Sequence, residues 1–270
     1  MGKSIEMNTP LGCTISGEGP PLVLVHGLFG DRGNLRGLGR TLSASFQVHA
    51  LDLPNHGESG RLEPGSIEQM ATMIGAYIHC LGMPVHYVGH SLGGKVGYAI
   101  ASRHPFLLAS LVVLDIAPVT YQGHDHKDVI AGIKSVSSAQ PSTRAEADGL
   151  LGEYVSEAGV RQFLLKSFLP ERVRQDSGRC WKFQADVLIA SLPLIVQAPL
   201  FIEPWQGPAL VVNGAQSAYI QGEADEQAIE QWLPSGEREV IENAGHWLHA
   251  EQPERVWQAL EQFYRRAGVM

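Results

Sequence analysis

The join between Pro84 and Ala101 constrains the fold more than any other stretch of this chain. A strand-length apolar run, PVHYVGH, passes straight into a helix-length one, SLGGKVGYAIA, with no linker between them. A turn that sharp puts Ser91 at a strained backbone angle, and side chains two residues to either side of it would collide with strand and helix. Gly89 and Gly93 stand at those two positions and remove the collision. A strand feeding directly into a helix is the unit from which parallel sheets are built.

The same alternation recurs along the chain. Apolar runs begin at PLVLVHG (residue 21), FQVHALDLP (46), LLASLVVLDIAP (107), PALVVNG (208) and EREVIENAGH (237). Helical patterns fall between them, near 33–44, 66–82, 91–104, 224–233 and 249–266. The expected class is therefore α/β, a mostly parallel sheet with helices on both faces. The rhythm breaks once, between Val119 and Gln206, where DVIAGIKSVSSA and GVRQFLLKSFL read as helices and no strand-like run occurs. The chain thus divides into a core, 1–118 with 207–270, and a helical insertion, 119–206. Ligands of open α/β sheets bind beyond the carboxyl ends of the strands, so an insertion there would roof the site as a cap.

Bulk properties narrow the partners. At 270 residues and 44% hydrophobic, the chain can build one sizeable core. A net charge of -8, with no long Lys/Arg run, argues against nucleic acid and against an anionic membrane surface, leaving small molecules. Cys13, Cys80 and Cys180 lie far apart and are odd in number, which suggests neither a disulfide framework nor a zinc motif. No leader-type h-region, myristoylation signal or long apolar span is found, so the expected location is the cytoplasm.

The strand-turn-helix context makes Ser91 a candidate nucleophile, since Gly89-His90-Ser91-Leu92-Gly93 is the nucleophile-elbow pattern. A serine hydroxyl needs a base, and the chain order for such sites is serine, acid, histidine. His246 is the histidine that follows the last apolar run, with Gly245 before it to permit a tight loop. His249, three residues on, reads as a helix-surface or capping residue. The acid is harder to place. Its usual position follows PALVVNG, but that loop reads Ala215-Gln216-Ser217-Ala218, with no carboxylate until Glu223 and Asp225. Asp115, ending LVVLD, is favoured, its rival role being to cap the start of the insertion.

An oxyanion needs two donors. The N–H of Leu92 is one, and the N–H of Leu28 the other, with Gly27 letting the backbone turn inward. The side chains of Leu28 and Phe29 would line an acyl pocket, and His26 would be structural. Trp181, Trp247, Phe163 and Phe168 are candidates for the acyl wall, although aromatics in a helical insertion more often form its core. His124 and His126, near Asp125 and Asp128, lack the further ligands a metal centre needs, and no metal or organic cofactor is expected. Asp52 reads as a turn former and Lys95 as structural.

Taken together, HGLFGDRGNL, LDLPNHGES, GHSLGGK, LDIAPVTY, QFLLKSF and AGHWLHAEQP resemble the YbfF-type esterases of the α/β-hydrolase superfamily, over about residues 21 to 255. The resemblance implies the α/β-hydrolase fold and a triad of Ser91, Asp115 and His246. It also implies hydrolysis of short to medium acyl esters, with acyl-CoA thioesters also cleaved in the family. The chain departs from the family mainly in LPERVRQDSGRCWKF, which reads as a longer loop in the cap. Lactonase or perhydrolase chemistry, and a ligand receptor with little turnover, are the rival readings on the same fold. Dehalogenase and epoxide-hydrolase chemistry would need Asp where Ser91 stands.

Overall fold

The computed structural model describes residues 10–121, 126–174 and 178–270. Seven strands form one sheet: β1 (Cys13–Ser16), β2 (Pro21–Val25), β3 (Gln47–Leu51), β4 (Val85–His90), β5 (Leu108–Leu114), β6 (Ala209–Gly214) and β7 (Gly236–Ile241). Their order is β1-β3-β2-β4-β5-β6-β7, and every pairing is parallel except β1 with β3. The chain runs outward from β2 to β3, then crosses to the other side of β2 to lay down β4. The loops leaving β2 and β4 therefore part at a strand-order switch, which opens a crevice at the carboxyl ends.

Strand β1 has no counterpart among the apolar runs of the sequence. Its residues CTIS are few and mostly exposed, so no hydrophobic pattern marks them; what orders them is the ladder to β3, from Cys13 opposite Leu51 to Ser16 opposite Val48.

Both faces of the sheet are covered. Helices α1 (Arg36–Leu42) and α10 (Pro253–Arg266) bury Leu38, Leu42, Val256, Leu260 and Phe263 against Leu22, Leu24, Val112 and Val212. On the opposite face, α2 (Ile67–Cys80) and α3 (Leu92–Arg103) bury Met70, Ile74, Val96 and Ile100 against Val23, Val25, Leu111 and Val211. Successive residues of β2 serve opposite faces, which is why this strand is apolar throughout. Each such side chain contributes about 1.5–3 kcal/mol of burial, so the central strands are a stiff platform for whatever their ends carry.

Between β5 and β6 the described residues form α4 (Lys127–Ala139), α5 (Arg144–Gly152), α6 (Ala158–Lys166) and α7 (Ala185–Ile195). One isolated antiparallel bridge, Phe168 to Trp181, joins the segments between α6 and α7. Ile133, Val136, Leu151, Leu164 and Leu188 are buried in the same cluster as the α2 and α3 face, so these helices pack onto the sheet's own core. Where the chain enters and leaves this region it is cross-tied: Tyr121 N–H donates to Val196 O at 2.9 Å, and Ala198 N–H to Thr120 Oγ1 at 2.8 Å. The last two helices to place are α8 (Glu223–Trp232), before β7, and the single turn α9 (Leu248–Glu251), before α10.

Candidate active site

Ser91 occupies the join of β4 and α3 at φ 52° and ψ -117°, a strained angle for a residue with a side chain. Its N–H donates to Leu114 O at 2.9 Å, which fixes the turn to the end of β5. A Cβ on Gly89 would stand 2.3 Å from Gly93 O, and one on Gly93 would stand 2.5 Å from Val25 O. Both neighbours are backbone, so glycine is required at both positions.

His246, in the loop between β7 and α9, brings Nε2 to 3.0 Å from Ser91 Oγ and Nδ1 to 2.6 Å from Asp115 Oδ2. Asp115 follows β5 with φ 58° and is fully buried. Its Oδ1 accepts from Gly214 N–H at 3.1 Å, and its Oδ2 also accepts from the Ser217 hydroxyl. A carboxylate at Nδ1 holds the imidazole as its Nδ1–H tautomer, leaving Nε2 free to accept the serine proton. The structure thus brings together Ser91, Asp115 and His246. Asp225 lies elsewhere, on α8, where its carboxylate accepts from Gln221 N–H at 2.8 Å.

Three contacts around His246 have no counterpart in the sequence reading. Ser217 sits in the β6 loop where a carboxylate is usual, and supplies a donor to Asp115 instead. The ring of Tyr219 stacks on His246 at 3.9 Å between centroids and 23° between planes. His90, beside the serine, lies with Nε2 2.8 Å from His246 O, and burial together with His249 and His246 lowers its pKa well below the ordinary value. It is therefore neutral, and its Nε2–H donates to that carbonyl. His249 departs from its surface reading: α9 is one turn long and turns the ring onto His90, 4.6 Å away, where burial brings its pKa to about 3.

The loop after β2 carries Leu28 to the site. A Cβ on Gly27 would be 3.1 Å from Ser91 Cβ, so the backbone passes close to the serine. Phe29 is held at φ 61° by its N–H donating to His56 Nε2 at 3.1 Å and by its carbonyl accepting from Ser167 Oγ at 2.9 Å. His56 Nδ1 donates in turn to Pro54 O, and burial drops its pKa to about 3. His26 plays the same kind of part, accepting from Leu53 N–H and donating to Gly27 O, with burial again lowering its pKa. Asp52 accepts from Arg32 N–H and Glu58 N–H and pairs with the Arg32 guanidinium, closing the turns that support this loop.

A cavity of about 550 Å³ opens over Ser91. Leu28, Phe29, Val129, Val160, Phe163, Ile195, Tyr219 and Trp247 line it. Trp181 and Phe168 do not. Trp181 is buried among the helices of the insertion, where stacking on Phe183 at 5.2 Å and donation from Nε1 to Ser137 Oγ hold it. His124 and Asp125 lie outside the described residues, as does part of the LPERVRQDSGRCWKF loop, residues 175–177. Among the described residues no cluster of three or more metal-ligating side chains occurs, and no helix is long and apolar enough to cross a membrane.

A serine at a strand-to-helix elbow, a histidine after the last strand and a carboxylate at a neighbouring strand end, all at the switch of a doubly wound sheet, define an α/β hydrolase. The chain belongs to the alpha/beta hydrolase family, whose model matches residues 22–259. It is 34% identical to Esterase YbfF of Escherichia coli over 90% of this chain and 92% of that one. It is likewise 34% identical to the sn-1-specific diacylglycerol lipase ABHD11 of Mus musculus, over 90% and 80% of the two chains. Among solved structures it is similar to a marine microorganism esterase, with a TM-score of 0.88 and 33% identity over 95% of this chain and all of that one.

Proposed function

We propose that this chain is a serine carboxylesterase acting on short to medium acyl esters, with acyl-CoA thioesters as further substrates. The observation that carries the reading is the relay from Ser91 Oγ through His246 to the buried Asp115, opening on an apolar cavity of about 550 Å³. His246 Nε2 takes the Ser91 proton as Oγ attacks the ester carbonyl. The N–H groups of Leu92 and Leu28 receive the oxyanion, and Asp115 stabilises the imidazolium. Collapse of the tetrahedral species expels the alcohol or thiol, protonated by His246, and leaves an acyl-Ser91. Water, deprotonated by His246, then attacks that ester and releases the acid. We read residues 119–206 as a cap that supplies the distal wall of the acyl pocket through Val129, Val160 and Phe163. Three free cysteines, one of them the exposed Cys80, fit a reducing compartment such as the cytoplasm.

Ser91→Ala should abolish hydrolysis of p-nitrophenyl butyrate and labelling by a fluorophosphonate while leaving the thermal transition in place. Turnover retained in that variant overturns the assignment. A wild-type chain that takes the label yet turns over simple esters negligibly would instead be a receptor built on this fold.

A further inference from the structure

Lys95 stands one turn into α3, its N–H donating to Ser91 O at 3.0 Å, and is almost fully buried. A buried lysine calls for partners, because an ammonium removed from water without them is costly. Its partners are backbone carbonyls at the end of α7: Gln197 O at 2.6 Å, Val196 O at 2.9 Å and Ile195 O at 3.4 Å. An ammonium has three N–H groups, and three carbonyls converge on it. Burial lowers the pKa of the amine to about 7, while its place at the C-terminal end of a helix, where the backbone dipoles favour a cation, works the other way.

Those carbonyls belong to the outgoing half of the neck through which the chain enters and leaves the insertion. The ingoing half is also gathered at Lys95: the Tyr121 ring lies under the amine at 4.9 Å, and Tyr121 N–H donates to Val196 O. Ala198 N–H closes the neck by donating to Thr120 Oγ1. The Tyr121 hydroxyl donates to Tyr219 O at 2.6 Å, and Tyr219 is the ring stacked on His246. Ile195 and Val196, whose carbonyls Lys95 holds, line the cavity over Ser91, and Lys95 reaches its edge beside them.

We propose that Lys95 is a positioning residue that pins the neck of the insertion to the nucleophile helix and thereby sets the acyl wall formed by Ile195 and Val196, making it a determinant of acyl-chain preference. The chain-length part of this inference rests on the esterase reading above; the pinning of the neck does not. Lys95 acts through the carbonyls it holds. Without it the neck is tied to α3 only at the far end of that helix, where Ser102 Oγ accepts from Ile202 N–H and Glu203 N–H; the hydrogen bonds at Thr120 and Tyr121 then open more often, and the wall beside the serine is free to shift. A long acyl chain, which needs that wall, loses binding. An acetyl group fills little of the cavity and loses less.

Two measurements on the full chain test this with Lys95→Met, a near-isostere without donors, and Lys95→Arg, which keeps the charge. Hydrogen exchange followed by mass spectrometry reads the amides of Tyr121 and Ala198; exchange there should rise about tenfold or more in Lys95→Met and less in Lys95→Arg. Steady-state kinetics on p-nitrophenyl acetate, butyrate, hexanoate and octanoate should show KM for the hexanoate rising about tenfold in Lys95→Met. The change in its kcat should be about threefold or less, with the hexanoate-to-acetate ratio of kcat/KM reduced and partly restored by arginine. Unchanged neck exchange in a folded Lys95→Met overturns the proposal. Raised exchange with an unchanged chain-length ratio overturns its role in acyl preference. Should Lys95→Met fail to fold, Thr120→Val loosens the same neck from the other side and must shift both readouts in the same direction. A wild-type chain that hydrolyses none of these esters overturns the esterase reading, while the exchange experiment still decides the pin.

Discussion

The Ser217 hydroxyl donates to Asp115 Oδ2, the same oxygen that receives Nδ1–H of His246. Ser217 Oγ also accepts from Tyr219 N–H at 3.2 Å, so the β6 loop is folded around the carboxylate it supports. Removing a hydrogen bond to a buried charge costs about 1.5–3 kcal/mol. Ser217→Ala should therefore lower kcat on p-nitrophenyl butyrate about tenfold to a hundredfold with KM little changed. An alanine variant with wild-type kcat would show that Gly214 N–H and His246 alone suffice to orient the acid.

Asp115→Asn probes the acid itself. An asparagine would offer an N–H where His246 needs an acceptor at Nδ1, favouring the tautomer with its proton on Nε2, facing Ser91. Turnover should fall by about three to four powers of ten. Asp225→Asn, on α8, should stay within about twofold. A large loss from Asp225→Asn with none from Asp115→Asn would reassign the acid.

The reach of the sequence follows from how local each signal is. The elbow at Ser91 is legible because both glycines it requires are two residues away, where their absent side chains explain themselves. Asp115 is legible only indirectly, from the lack of a carboxylate near Ser217 and a resemblance that points the same way. The role of Ser217 is not legible, since a hydroxyl in a loop means nothing until the parallel pairing of β5 with β6 sets Leu114 opposite Val212 and so brings the two loops together. Strand β1 is silent for a related reason: its order comes from backbone pairing, which leaves no trace in hydropathy. Trp181 illustrates the reverse error. A large aromatic in an insertion over the site looks like pocket lining, yet the ring is stacked on Phe183 and hydrogen-bonded to Ser137 in the interior of that insertion.

Buried neutral histidines carry a pH signature. His56 and His249, both brought to about 3 by burial, bind no proton in the folded state at pH 5, whereas in the unfolded chain each has an ordinary pKa near 6.5. The unfolded state then holds more protons, so stability is flat above about pH 6.5 and falls as pH drops from there toward 3. Each group adds up to about 1.4 kcal/mol per pH unit to that slope. Urea melts between pH 6.5 and 4.5 should show the fall. His56→Gln, which keeps a donor and an acceptor for Pro54 O and Phe29 N–H but does not titrate, should reduce the slope by about one proton. An unaltered slope in that variant would mean that His56 is protonated in the folded protein.

The two glycines that open α3 should separate strain in the backbone from strain in side chains. A Cβ on Gly94 would meet Ile116 Cγ2 at 2.7 Å, Val113 Cγ1 at 2.8 Å and Gly89 O at 3.2 Å; the two closest are branch methyls of buried, β-branched side chains, which give way less than a flexible chain end but more than backbone. One on Gly93 would meet Val25 O at 2.5 Å and His26 O at 2.7 Å, backbone atoms of the central strand and of the loop that carries Leu28. Overpacking against core side chains costs about 1–3 kcal/mol, so Gly94→Ala should fold with a lowered Tm and lose less turnover than Gly93→Ala. Gly93→Ala has no such relief. It must push α3 away from β2, which shifts Ser91 and both proposed oxyanion donors together. It should lose about 3 kcal/mol or more of stability, and whatever fraction folds should be slowed on acetate and hexanoate alike, because the damage lies at the oxyanion and not along the acyl wall. Equal stability and turnover in the two alanine variants would mean that the approach of α3 to β2 is looser than the distances at Gly93 imply.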